Sequence, residues 1–306
     1  MTARDWLARR TYHHSSFPPE RDRDTTVSVC VPARNEAETI GPIVETLCAL
    51  RGRGAIDEVV VVDAASDDGT GEIAAARGAT VHQQDELMPG FGPTLGKGDA
   101  LWRSLSVLRG DIVCFVDADS GGFGPHFACG LVGPLLRDPT VDFVKGFYRR
   151  PFAGGAEAGG RVTELTARPL INAFYPDLAG FRQPLAGELA ARRELLERLP
   201  FSTGYAVEIA LLIDVWKAVG LDALAQVDLE LRQNRHQPLG ALGPMAHGVL
   251  LAVCERLVRE GRMAEVPPGT LLQPDGSERQ VEIVERPPMA SVRARGFAAR
   301  GSAACS

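Results

Sequence analysis

The chain has 306 residues, 45% of them hydrophobic, which suits one large domain with a full core. Its 33 Lys and Arg against 39 Asp and Glu give a formal net charge of −6. That argues against nucleic acid as the main partner while leaving room for a local basic pocket around a small anion.

Residues 1–24 are charged and lack the apolar stretch of a signal peptide, so they read as a flexible N-terminal segment. No apolar run approaches the roughly 18 residues of a transmembrane helix, and the expectation is a soluble, cytoplasmic protein without a membrane partner. Strands and helices then alternate. "VSVCVPA" (27–33) is a β-branched strand, "EAETIGPIVETLCAL" (36–50) has helical apolar spacing, and "EVVVVDAAS" (58–66) is a buried strand ending in Asp63. "DDGTGEIAAARG" (67–78) reads as a helix closing on glycine, "ATVHQ" as a third strand, and "KGDALWRSLSVLRG" (97–110) as a helix leading into the strand "DIVCFVDAD" (111–119). Strands apolar on both faces and separated by helices predict an α/β fold with a mostly parallel sheet covered on both sides.

Beyond it, 141–152 reads as a strand running into the glycine-rich "AGGAEAGG" (153–160). Helical patterns follow at 161–174, about 188–199 and 205–219, then a strand at 223–239 and a helix at 240–260. Residues 261–306, rich in Pro, Gly, Glu and Arg, read as a loosely ordered tail. The six cysteines, at 30, 48, 114, 129, 254 and 305, form no C-x-x-C pair and read as small buried hydrophobes in a reducing compartment.

Ligands of parallel sheets bind outside the carboxyl ends of the strands. Polar residues gather at three such ends: Arg34, Asn35 and Glu36; Asp63 and Ser66; Asp117 and Asp119. Asp117-Ala118-Asp119 sets two carboxylates at i and i+2, on one face of a strand, where they repel unless a cation lies beside them. A divalent cation bridging a diphosphate would relieve that repulsion; the plainer reading is a pair of strand-end caps. Two decoys fall away. "GPTLGKGDA" lacks the first glycine and the Ser or Thr of a phosphate-binding P-loop, and "VPARNEAETIG" has no G-x-G-x-x-G for a dinucleotide. Glu208, a carboxylate within an apolar helical pattern, calls for a partner. Arg161, between a glycine-rich loop and a helix, could meet a phosphate together with backbone N–H groups.

Eight stretches, in order, resemble the glucosyl-3-phosphoglycerate and mannosyl-3-phosphoglycerate synthases: "VPARNEAETIG", "VVVDAASDDGT", "LGKGDALWRSL", "FVDADS", "VKGFYRRP", "GGRVTEL", "QPLAGELAARRELL" and "GYAVEIALLID". These are retaining GT-A glycosyltransferases of glycosyltransferase family 81. The resemblance implies a GT-A fold, with 25–150 as the nucleotide-sugar-binding core and 151–260 as an acceptor-binding part completing the same domain. It also implies transfer of a hexose from a nucleotide sugar to a small phosphorylated acceptor, with Mg²⁺ or Mn²⁺ as cofactor, in a homodimer.

Residue by residue, it implies that Pro32, Arg34 and Glu36 line the uridine pocket and that Lys97, Asp117 and Ala118 meet the nucleotide. Asp119 would hold the metal and Arg232 the diphosphate. Tyr205 and Glu208 would face the donor sugar, and Gly160, Arg161 and Thr163 the phosphorylated acceptor. Two positions depart from the family pattern. Asn234 stands where the family has a metal-binding His, and His236 where it has an acceptor-contacting Asn. Either His236 reaches the metal by another path, or the metal is held less tightly and the acceptor site is altered. Ala64 replaces a hydroxyl after the first Asp. UDP-glucose donor and 3-phosphoglycerate acceptor are the first expectation. A different anionic acceptor, GDP-mannose as donor, and a non-catalytic nucleotide-sugar-binding protein are the alternatives.

Overall fold

A computed structural model describes residues 2–21, 24–150, 160–233, 238–273 and 275–296. The chain opens with α1 (Ala3–Arg10) and β1 (Thr11–His13), then runs through β2 (Val27–Ala33), α2 (Ala37–Gly52), β3 (Glu58–Asp63), α3 (Thr70–Ala76) and β4 (Thr80–Gln83). Next come α4 (Lys97–Ser104), β5 (Ile112–Phe115), α5 (Pro125–Arg137), β6 (Phe143–Arg149), α6 (Arg168–Phe174), β7 (Leu189–Arg192), α7 (Arg193–Arg198) and β8 (Phe201–Ser202). The remainder holds α8 (Val207–Val219), β9 (Leu224–Leu231), α9 (Leu239–Arg259), β10 (Thr270–Leu272), β11 (Glu278–Gln280), β12 (Glu285–Arg286) and α10 (Met289–Ala294).

Eight strands form one sheet in the order β1-β9-β6-β7-β5-β2-β3-β4. Pairings are parallel except those of β7, which runs antiparallel between β5 and β6. Separate apolar clusters cover the two faces: Leu101, Phe115 and Leu212 belong to one, Ile43, Val61 and Leu131 to the other. The carboxyl ends of β2, β3, β5, β6 and β9 therefore share one rim. Because β7 runs the other way, its beginning lies on that rim too.

The helix expected at 188–199 is a correction. Leu189–Arg192 is a strand, and only Arg193–Arg198 is helical. Leu189, Ala190 and Ala191 are buried between two strands, and that packing overrides their helix propensity. The strand expected to carry Asp117 and Asp119 ends at Phe115, so both carboxylates stand on the loop after it.

The two termini also differ from expectation. Residues 2–16 are not a flexible segment: Trp6 is fully buried and donates a 2.7 Å hydrogen bond to the Leu224 carbonyl, while β1 pairs with β9. A large aromatic side chain buried in this way contributes about 3–5 kcal/mol against its removal. Nor are all described residues beyond 261 a loose tail, for β12 pairs with β8 and Trp102 Nε1 donates to the Pro287 carbonyl at 2.7 Å. Residues 297–306 lie outside the described residues.

Helix α9 is long and apolar enough to cross a membrane by length and composition. Here Val249, Ala252, Val253 and Leu257 are buried in the core, and Arg256 of the same helix pairs with Asp214 and Glu285. Cys30, Cys114, Cys129 and Cys254 are buried as expected; burial pushes the Cys30 thiol up to about 12 and that of Cys129 to about 11.

Candidate active site on the strand-end rim

At the end of β2 the chain turns through Asn35, which adopts a left-handed conformation (φ 55°), and Ala65 does the same after β3 (φ 55°). Side chains hold these strained turns together. The Asn35 N–H donates to Ser66 Oγ at 2.9 Å, the Glu36 N–H to Thr70 Oγ1 at 2.8 Å, and the Ala37 N–H to Asp68 at 2.9 Å. Asp63 points inward and accepts from Ser66 and Gln83, so this strand-end carboxylate organises the loop. Pro32 and Glu36 are half-buried at this corner and Arg34 is exposed. Thr39 Oγ1 donates a 2.6 Å bond to the Ala118 carbonyl, tying the start of α2 to the loop that carries Asp117 and Asp119. This is the point where strand order reverses between β5 and β2, the usual ligand crevice of such sheets.

Around Asp117 the expected residues converge. Lys97, the first residue of α4, places Nζ 2.5 Å from Asp117 Oδ1 and 3.0 Å from Glu208 Oε1. Gly96 before it adopts φ 77°, a conformation that costs other residues steric strain. Arg232, just past β9, pairs with Asp117 Oδ2 at 3.0 Å and with Asp119 Oδ1. It reaches this spot because the Gly121 N–H bonds the Gln233 carbonyl at 2.7 Å, stitching the end of β9 to the Asp119 loop.

Four further residues complete the network, although sequence reasoning gave them no role. Glu188 is fully buried, with Oε1 2.8 Å from Arg232 Nη1. The Tyr148 hydroxyl donates to Glu188 Oε2 at 2.7 Å and accepts from both Arg232 and Arg150 at 2.7 Å. Lys145 is fully buried and donates to the Ala186 carbonyl at 2.8 Å. Lys145, Tyr148 and Arg150 lie in the stretch "VKGFYRRP" and Glu188 in "QPLAGELAARRELL", two of the stretches that carry the family resemblance, which assigned none of the four a role. Gly187 is needed for space, since a Cβ there would collide with Lys97 Nζ and both Asp117 carboxylate oxygens.

The electrostatics follow from this packing. Burial opposes the charge on Lys97, but Asp117 and Glu208 outweigh it and raise the ammonium pKa. Burial likewise opposes ionisation of Asp117, yet Lys97 and Arg232 hold it well below the usual carboxylate range. Burial pushes the Glu188 carboxyl up, only partly offset by Arg232, and lifts the Tyr148 phenol to about 12. It also lowers the Lys145 amine to about 8.

On the acceptor side, Gly160 (φ 81°) and Thr163 line one small cavity with Arg150, Glu164, Gln183, Leu185 and Ala186. Thr163–Ala167 winds as a π-helical turn, a distortion that often marks functional positions. Arg161 is half-buried between Gly160 and that turn. Arg150 lines the cavity and bonds Tyr148, so the cavity and the Asp117 cluster share a wall. Tyr205 is exposed on a turn after Gly204, whose N–H bonds the Leu95 carbonyl. Asn234 and His236 lie outside the described residues.

The donor set suits a divalent cation. Asp119 spends one carboxylate oxygen on Arg232, and among the described residues the other has no hydrogen-bond partner. Mg²⁺ and similar hard cations take one or two carboxylates and complete their shell with phosphate and water oxygens.

Residues 28–157 match the family Glycosyl transferase family 2. The glucosyl-3-phosphoglycerate synthase of Petrotoga mobilis is 40% identical, over 94% of this chain and 96% of its own. That of Mycolicibacterium smegmatis is 44% identical, over 88% of this chain and 91% of its own. Among solved structures, mannosyl-3-phosphoglycerate synthase from Rubrobacter xylanophilus superposes with a TM-score of 0.87 at 50% identity, covering 95% of this chain and 98% of that one. Glucosyl-3-phosphoglycerate synthase from Mycobacterium tuberculosis, solved with Mn²⁺, UDP-glucose and phosphoglyceric acid, gives a TM-score of 0.81 at 41% identity, covering 93% and 99%. The sheet is thus that of a GT-A glycosyltransferase, the chain is a hexosyltransferase, and it belongs to the family of glucosyl-3-phosphoglycerate and mannosyl-3-phosphoglycerate synthases.

Proposed function

We propose that the chain transfers glucose from UDP-glucose to the hydroxyl of 3-phospho-D-glycerate, with retention at the anomeric carbon. The observation that carries this reading is the shared wall: Arg150 and Tyr148 join the Asp117–Arg232 cluster to the cavity at Gly160 and Thr163. A donor diphosphate on one side and a phosphorylated acceptor on the other would then meet. The relatives solved with UDP-glucose and phosphoglyceric acid support the same pairing.

Pro32, Arg34 and Glu36 bind the base and ribose, while Lys97 and Asp117 set the depth of the nucleotide. Lys97, Lys145, Arg150 and Arg232 face Asp117, Asp119, Glu188 and Glu208, so the protein alone offers a diphosphate little net attraction. A divalent cation, Mg²⁺ or Mn²⁺, held by Asp119 supplies that attraction and neutralises charge on the leaving diphosphate. Arg232 adds a fixed guanidinium to the same end of the reaction. Glu208, pinned by Lys97, is an orienting acceptor for a sugar hydroxyl; its ion pair leaves it poorly placed as a nucleophile. The acceptor hydroxyl attacks from the leaving-group face and gives its proton to a diphosphate oxygen as the anomeric C–O bond breaks. Arg161 and the backbone of the π-helical turn clamp the acceptor phosphate.

A second reading, mannose from GDP-mannose, is favoured by the 50% identity to the Rubrobacter xylanophilus mannosyl enzyme. Mass spectrometry of products formed from each donor with 3-phosphoglycerate and Mg²⁺ or Mn²⁺, with Asp119→Ala as control, separates them. A glucosyl-phosphoglycerate mass that the variant loses is the expected result. A hexosyl product from GDP-mannose alone establishes the second reading, and no product from either donor overturns both.

A further inference from the structure

At the β1 edge of the sheet, three potential metal ligands meet. β1 ends at His13, and a 3-10 turn begins at His14. Consecutive strand residues would point to opposite faces, but this change of conformation brings the two imidazoles together, with ring centroids 4.4 Å apart. Glu230, on β9, reaches them from the neighbouring strand: its Oε1 lies 2.9 Å from His14 Nε2 and 3.7 Å from His13 Nε2. All three donor atoms lie within 4.8 Å of one another. Glu230 holds a left-handed backbone (φ 67°), and its N–H bonds Asp228 Oδ1 at 2.9 Å.

We propose that His13, His14 and Glu230 bind a zinc ion, separate from the divalent cation of glycosyl transfer, that clips the N-terminal strand to β9. Tetrahedral zinc with bonds of about 2.0–2.1 Å needs its ligand atoms about 3.3 Å apart, and the separations to Glu230 bracket that value. Two imidazoles and a carboxylate with an open fourth position are a donor set that zinc accepts and that hard, oxygen-seeking Mg²⁺ does not favour. The ring nitrogen not facing Glu230 is also provided for in His13, where Nδ1 stands 2.8 Å from Ser15 Oγ. With Nδ1–H donating to that hydroxyl, the Nε2 lone pair faces the ion, the outer-shell bond that fixes a ligating histidine. The opposite tautomer, with Nδ1 accepting from the Ser15 N–H at 3.2 Å, puts a proton on Nε2 facing Glu230, and zinc selects against it. The His126 ring lies beside that of His14, tilted by 51° with centroids 4.8 Å apart. A clip here acts where it matters, because Glu230 precedes Arg232 by two residues.

The test is equilibrium dialysis of the untagged full chain against Zn²⁺ in excess Mg²⁺, read by elemental analysis, with melting curves alongside. Wild type and Asp119→Asn should each retain one zinc per chain and melt higher with zinc than without. His14→Gln and Glu230→Gln should bind it more weakly by at least the roughly 10–100-fold that loss of an outer-shell partner costs, since each removes a direct ligand, and lose the zinc-dependent rise. Replacing zinc by cobalt should give the visible absorption of a tetrahedral site in wild type only. The proposal is overturned by wild type retaining no zinc, which leaves a His14–Glu230 ion pair, or by zinc lost in Asp119→Asn and kept in both ligand variants. Should His14→Gln fail to fold, Glu230→Gln alone decides, since the half-exposed Glu230 side chain fills no core position.

Discussion

The Tyr148 hydroxyl accepts a 2.7 Å hydrogen bond from Arg232 Nη1 and has no bonding capacity left over. Its proton goes to Glu188 and its other lone pair takes Arg150. A guanidinium meant for a diphosphate is thereby fixed in one orientation before any substrate arrives, which is how a site avoids reorganising during reaction. Tyr148→Phe removes that fixation while leaving the ring. The variant should lose about 1–3 kcal/mol of stability, the cost of stripping partners from buried polar groups. It should also lower kcat roughly tenfold with little change in donor KM, the pattern of an interaction made in the transition state. Steady-state kinetics with urea unfolding check both; unchanged kcat would mean Arg232 needs no such support.

Gly187, two residues before β7, packs against Lys97 and Asp117 of the donor cluster. In Gly187→Ala the Lys97 side chain can move aside, but Asp117 is also held by Arg232 and cannot. The methyl group should separate Lys97 from Asp117, so kcat/KM falls at least tenfold while circular dichroism stays unchanged. Equal activity in the variant would show that the pair is not needed as observed.

Arg161 stands next to the cavity formed by Gly160, Thr163 and Arg150. If it clamps the acceptor phosphate, Arg161→Ala should raise acceptor KM by roughly 10–100-fold, the worth of a charge-assisted pair, and leave donor KM nearly untouched. Initial-rate measurements varying each substrate in turn decide this. Equal effects on both constants would move Arg161 out of the acceptor site.

Lys145 gives a pH signature. Its folded pKa of about 8 lies below the ordinary lysine value, so between those two pH values the unfolded chain binds more protons and stability rises with pH. Below pH 8 both states are protonated and the whole burial cost is borne. The shift corresponds to about 3 kcal/mol. Lys145→Met lacks this titration, so the stability difference between wild type and variant should move in favour of wild type as pH climbs from 7 to 10. Urea unfolding at several pH values measures it, and a difference that stays flat would place the amine in a more polar setting.

What the sequence revealed and concealed follows from range. Asp117 and Asp119 were legible because a short motif at a strand end carries them and the rim of a parallel sheet gathers strand ends predictably. Glu208 was legible as an acid inside an apolar helical pattern, and Lys97 and Arg232 through the family resemblance. Glu188 was hidden because its segment looked helical; only the antiparallel insertion of β7 turns it toward Arg232. Tyr148 and Arg150 take their roles from contacts with β7 and the end of β9, distant in sequence. The docking of 285–294 was concealed for a related reason. Helix α10 buries just Met289 and Val292, too short an apolar pattern to register. Its approach is fixed instead by the pairing of β12 with β8, the Trp102–Pro287 hydrogen bond and one buried arginine.

That arginine is Arg286. Its Nε lies 2.6 Å from Oδ1 of the fully buried Asp99, and its two Nη groups donate to the carbonyls of Phe91 and Pro93 at 2.7 and 3.0 Å. Asp99 also holds Arg103, and both sit in α4, whose first residue is Lys97. Arg286→Ala would leave Asp99 with one cation where it had two and take one donor from each of the Phe91 and Pro93 carbonyls, of which Pro93 keeps Arg103. Breaking a buried pair from one side costs about 3–5 kcal/mol. For a chain of this size that should lower Tm by roughly 5–10 °C. Because α4 positions Lys97, donor KM should rise as well. Arg286→Lys keeps the charge without the fork and should fall between the two. Calorimetry on the three proteins tests the claim; an Arg286→Ala Tm equal to wild type would mean that this segment is not bound to the core in solution.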